Sequence, residues 1–171
     1  MTALNLSEIA VDLLIAKIKT DIPAALADIR TSRNDAFVST ELPQNYFDYG
    51  VPKPWAYRTP AIFVICDNID FRLDRGQNHT NAVVRINVGV VVEDKDCERL
   101  TAKTYRYQAA LCRVLQESRL TASDDSVVYI VKVIRAEYSP IYSNAQAEGD
   151  VQGVFRKEVR LECELEDYEN F

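Results

Sequence analysis

Side chains able to do chemistry are few in this sequence and widely spaced. Glu158, Glu162, Glu164 and Glu166 fall at even positions of one segment and so share one face of an extended strand, where neighbouring carboxylates could hold a divalent cation. Arg156, Lys157 and Arg160 are interleaved with them. That interleaving favours a solvated or interfacial mixed-charge surface over a metal site. Cys66, Cys97, Cys112 and Cys163 are isolated from one another, no CxxC pair occurs, and the single histidine, His79, cannot complete a common zinc set. The cysteines read as reduced, small apolar packers, and His79, in a polar stretch, as a solvated side chain. No GxSxG elbow, GxxxxGK phosphate loop, GxGxxG turn or HExxH pair is present, and 5 glycines in all leave little material for a phosphate cradle. The residues therefore predict no catalytic group, no cofactor and no metal.

The elements that would position these side chains are easier to read. In Asn81 to Asp94, NAVVRINVGVVVED, Val84, Ile86, Val88, Val90 and Val92 recur at a period of two, with Val83, Arg85, Asn87 and Gly89 on the mixed opposite face. This is a strand with one face turned to a core. After the turn at Glu93-Asp94-Lys95-Asp96 the spacing changes: Leu100, Thr104, Tyr107, Leu111, Val114 and Leu115 form one stripe of a helix, predicted to end near Ser118 and able to cover that face. At the N-terminus, Asn5 and Glu8 have capping-box spacing ahead of Ile9, Val11, Leu13, Leu14 and Ile18, which predicts a helix from about Leu6 to Lys19. Asp21 and Pro23 then allow either a second short helix or one bent helix to Arg30.

Between Thr31 and Thr59 periodicity disappears, while Tyr46, Phe47, Tyr49, Trp55 and Tyr57 accumulate among Pro43, Pro52 and Pro54. Aromatics at this density suit an interface, or a loop folded back over its own core. Pro60 to Cys66 reads as a strand buried on both faces, followed by a turn at Asp67-Asn68 and a short strand from Ile69 to Leu73. Val127 to Tyr138 alternates as a further strand. The last long strand sets Phe155, Val159, Leu161, Cys163 and Leu165 against the charged row, and these two strands are expected to pair as an antiparallel hairpin.

The assembled expectation is an α+β fold, a mostly antiparallel sheet of about four to five strands with helices packed on one face. A chain of 171 residues fits one domain, residues 1–171, with an irregular aromatic loop at about 31–59. No apolar run of about 18 residues occurs and the N-terminus lacks a basic start, so neither a membrane span nor a secretion signal is expected and the chain is expected to stay in the cytoplasm. The net charge of -6 argues against a nucleic-acid reader, which presents a basic stripe to phosphate.

The order of a capped helix, an aromatic loop closing in PAIFV, the strand NAVVRINVGVVVED, the helix TAKTYRYQAALCRVLQ, a strand into the EYSPIY corner and the final strand VFRKEVRLECELE resembles the tail terminator proteins of long-tailed bacteriophages. Tail-completion and neck proteins share the mixed α/β fold. The resemblance implies a non-enzymatic virion protein of the tail or neck, assembled in the host cytoplasm into a homo-oligomeric, hexameric ring. Such a ring caps the tail tube, ends its polymerisation and joins it to the head-tail connector; its partners are other copies of itself, the tail tube protein and the connector protein. DNA passes through without specific binding, and no membrane is involved. On this basis Tyr46, Phe47, Tyr49, Trp55 and Tyr142 are expected at interfaces, and Glu162, Glu164 and Glu166 facing the channel. The rival expectations are another connector or tail-completion protein, a transient tail-assembly factor, and a cytoplasmic enzyme or small-ligand-binding domain, which calls for a pocket with convergent polar groups.

Overall fold

The computed structural model describes residues 6–34, 40–48, 57–73, 80–122, 128–143 and 154–167. In chain order the elements are α1 (Leu6–Arg33), β1 (Asn45–Phe47), β2 (Ala61–Leu73), β3 (Thr80–Asp94), α2 (Cys97–Leu115), β4 (Arg119–Thr121), β5 (Val128–Tyr138), β6 (Tyr142–Ser143) and β7 (Phe155–Asp167). The seven strands form one mixed sheet in the order β1-β2-β3-β7-β5-β4, with β6 paired to β7 off this path. Only β1 against β2 is parallel; the other pairs are antiparallel.

The valine-rich strand stands where its periodicity requires. β3 lies between β2 and β7, and Val84, Ile86, Val88 and Val90 are wholly buried. These residues join Ile62, Val64, Val159, Leu161, Cys163, Leu165, Tyr129 and Val131 in one core with Leu14, Ile18, Ile22 and Leu26 of α1 and Leu100, Tyr107, Leu111 and Leu115 of α2. The expected stripe of α2 is thus the buried one, down to Thr104, whose hydroxyl donates to the Leu100 carbonyl at 2.8 Å. Asp96 caps the helix, accepting from the Arg99 amide at 2.8 Å.

Several expectations are corrected. The sheet has seven strands rather than four to five, because β1, β4 and β6 are three, three and two residues long, too short to carry a period. The sheet is also mixed, β1 being parallel to its neighbour. The N-terminal region takes the one-helix alternative, with Pro23 inside it, and runs on to Arg33 rather than Arg30. Proline removes one helical hydrogen bond there, and burial of Ile18, Ile22, Leu26 and Ile29 on one stripe offsets that loss. Asp67-Asn68 is not a turn. β2 runs through it as one strand with a register shift between Cys66 and Asn68, a bulge that takes up the polar pair without ending the ladder. Helix α2 stops at Leu115, three residues short of Ser118, where Glu117 adopts a positive φ of 58°. The paired antiparallel arrangement of β5 and β7 is as expected.

The other side of the sheet is mixed in composition yet well covered at its centre. Phe63, Val83 and Val91 are nearly inaccessible, and Arg156 is 6% exposed. Gly89 makes room for this layer: a Cβ there would lie 1.9 Å from Cζ of Phe63. The ring of Phe63 therefore occupies the space a side chain would need.

Candidate functional site

The charged face comes first. β7 places Glu162, Glu164 and Glu166 on the face of the sheet opposite its core residues Val159, Leu161, Cys163 and Leu165, each partly buried and each paired to a cation on a neighbouring strand. Arg135 of β5 meets Glu162 at 2.5 Å, Arg85 of β3 meets Glu164 at 3.1 Å, and Lys132 of β5 meets Glu166 at 2.9 Å. Farther along the same face Arg156 holds Glu93 at 2.6 Å and Arg160 meets Glu158 at 3.0 Å. Cross-strand register sets Arg135 opposite Glu162 and Arg85 opposite Glu164, while Lys132, opposite Glu164 on β5, reaches diagonally to Glu166. The acidic row is thereby locally neutralised. Among the described residues no group of three or more His, Cys, Asp or Glu side chains is arranged to hold a metal ion.

A second charged cluster ties α2 to the end of β3. Asp94, 4% exposed at its side chain, accepts from Arg99 at 2.5 Å and from Lys103 at 2.6 Å, and from the Asp96 amide at 3.1 Å. Burial pushes its pKa up, but the hydrogen bonds from Arg99, Lys103 and the amide outweigh it and hold the carboxyl well below the usual range. Two of the cysteines, Cys163 and Cys112, are held away from the thiolate form a nucleophile needs. Cys163 is buried and its pKa is pushed up to about 12, chiefly by burial, and Cys112 is raised by burial against a 3.0 Å contact from Gln108. Cys97 departs from the packing expectation in being exposed.

The predicted interface aromatics separate. Tyr46 in β1 is half-buried against the core, with Lys19 Nζ 5.0 Å from its ring centroid, while Phe47 makes an edge contact with Tyr57 at 5.3 Å between centroids. Tyr142 lies on β6 beside β7, on the opposite side of the sheet from β1, and is 51% exposed. Tyr49, Trp55 and His79 fall outside the described residues. The described start of the aromatic segment is anchored rather than free: Arg30 donates to the Thr40 carbonyl at 2.8 Å, Tyr107 donates its hydroxyl to the Glu41 carbonyl, and β1 pairs with β2. For these residues the loop does fold back on its own core.

Sequence reasoning named Tyr142 but missed the exposed group it belongs to at the other end of β5. Tyr105 and Tyr138 meet edge to face at 5.4 Å, and Ile134, Ile141 and Tyr142 stand nearby in sequence, between 40% and 51% exposed. Tyr105 was legible as the aromatic that falls off the buried stripe of α2. The sheet's two ends are also open. β1 covers only Ala61 to Phe63 of β2, while β4 covers Val128 to Ile130 of β5 and residues 116–118 bond Val131 and Val133, so most of β2 and residues 134–138 of β5 have no neighbour on one side among the described residues. A groove of about 450 Å³ lies along α1 and the end of α2, lined by Lys17, Asp21, Asp28 and Arg113. Its charges pair with one another, at 2.6 Å for Lys17 with Asp21 and 3.5 Å for Arg113 with Asp28, so it presents no convergent set of free charged groups.

The sequence matches no protein-family model and no curated protein. Among solved structures the fold is similar to that of a chain in the virion of a native gene transfer agent particle, at a TM-score of 0.52 and 14% identity. The similarity spans 96% of this chain and 99% of that one. At this identity the likeness is one of fold, from end to end.

Proposed function

We propose that this protein is a structural component of a phage-type virion, a tail terminator that forms a hexameric ring on the finished tail tube, stops its growth and presents a surface to the head-tail connector. The observation that carries this assignment is the end-to-end likeness in fold to a virion chain, spanning 96% of this chain and 99% of that one. The open sheet edges support it, because a ring of identical subunits needs two different, mutually fitting surfaces on each copy. Long uncovered edges are usually blunted in proteins that act alone. The Glu162, Glu164 and Glu166 face is the proposed lumen wall. There, Arg85, Lys132 and Arg135 are occupied by carboxylates, so DNA phosphates meet few free cations and the duplex slides instead of sticking.

Gene deletion separates a terminator from a connector. Loss of a terminator gives headless tails of uncontrolled length; loss of a connector gives headless tails of normal length. Particles that remain complete and infectious would contradict both roles.

A further inference from the structure

The sheet has stepped edges, and the two steps are complementary. The registers define rows of side chains across the strands. One row runs Phe47 (β1), Phe63 (β2), Gly89 (β3), Arg160 (β7), Glu137 (β5). Another runs Asp70 (β2), Val83 (β3), Glu166 (β7), Ile130 (β5), Arg119 (β4). Each row is five strands wide, and the second is displaced by one strand, so among the described residues β1 projects from one edge at the level where β5 is bare, and β4 projects from the other at the level where β2 is bare.

We propose that copies of this chain join edge to edge, β4 and β5 of one against β2 and β1 of the next, so that the sheet continues through the ring. A shift by five strands fills both steps at once and sets β5 antiparallel to the neighbour's β1, with β4 parallel to the neighbour's β2. Backbone polarity on the β5 side fits. Val131 faces away from β7, donating to the Ser118 carbonyl and accepting from the Glu117 amide. Across the bulge between Val133 and Arg135, Glu158 turns its amide and carbonyl toward Ser139, so alternation leaves Ala136 and Tyr138 directed outward on the open edge. Charge fits too. Arg119 is exposed with no ion pair among the described residues, and it stands in the row and on the face of Asp70, itself 54% exposed and only loosely held by Arg85 at 3.5 Å. Across the junction these two become neighbours. On the core side, the row of Tyr46, Ile62, Val90, Val159 and Tyr138 brings the 42% exposed Tyr138 beside the neighbour's Tyr46.

This inference rests on the ring assignment above, and the test keeps the two apart. Ala136→Pro removes an outward amide without breaking a bond to β7, so the chain should melt like wild type yet sediment as a monomer where wild type sediments as a ring. Arg119→Glu and Asp70→Lys should each weaken a junction by roughly two- to fivefold, and the double swap should restore it. A folded Ala136→Pro protein that still forms the ring overturns the edge pairing and leaves the ring standing. Wild-type protein that is monomeric at every concentration overturns the ring, and the edge pairing with it. If Ala136→Pro fails to fold, the swap decides: recovery in the double variant supports the junction, and its absence overturns it.

Discussion

Gly89→Ala should destabilise this protein through a single aromatic ring. The added Cβ would lie 1.9 Å from Cζ of Phe63 and 2.4 and 2.5 Å from its two Cε atoms. Carbon atoms settle at about 3.5–4.0 Å, so the ring must retreat by roughly 1.6 Å or more. It has little room, being 1% exposed and carrying the Arg160 guanidinium 5.6 Å from its centroid. Overpacking of this kind costs about 1–3 kcal/mol, and the upper part of that range applies because three ring atoms clash at once. Restricting the unfolded glycine offsets about 0.5–1 kcal/mol. The net expectation is a loss of about 2 kcal/mol in urea unfolding followed by circular dichroism. The decisive control is the same substitution in a Phe63→Ala background, where the ring is gone and Gly89→Ala should be neutral or slightly stabilising. Equal costs in the two backgrounds, within about 0.5 kcal/mol, would refute the steric reasoning.

Val88→Asp should abolish folding: it forfeits about 1.5–3 kcal/mol of burial and strands a carboxylate in a wholly buried site, against a total stability of about 5–15 kcal/mol; a soluble, cooperatively melting variant would show that the face assignment is wrong. Asp94→Asn should cost on the order of 2 kcal/mol at pH 7, since Arg99 and Lys103 lose their partner. Because the folded pKa of Asp94 is depressed, the wild-type advantage is full above the unfolded value of about 3.9 and shrinks as pH falls below it toward the folded value; stability curves for the two proteins that stay parallel from pH 7 to below pH 3 would contradict this. Glu164→Gln leaves Arg85 on the proposed lumen wall with only the looser 3.5 Å contact to Asp70 and should slow DNA ejection most strongly at low salt, and an unchanged ejection rate would remove that face from the channel.

How much of this was legible in the sequence depended on length. β3, β5, β7 and α2 each carry enough residues for a period to declare itself, and the buried faces of β3, β7 and α2 are the ones the spacing named. β1 and β4, the pieces that give the sheet its steps, are three residues each and have no period to read, so both the strand count and the edge geometry were invisible. The bulge in β2 was misread as a turn because Asp67-Asn68 has turn chemistry, while pairing with β3 carried the strand through it. The carboxylate row was found correctly and its partners were not. Glu162, Glu164 and Glu166 meet cations from β3 and β5, an outcome set by cross-strand register that no single strand discloses.

The central claim is positional, and cryo-electron microscopy of the neck of an intact particle tests it most directly. The account predicts a sixfold ring of this chain at the head-proximal end of the tail tube, with the β5 edge of each copy laid against the β1 edge of the next. Absence of the chain from the purified particle, or its density elsewhere than the neck, would contradict it.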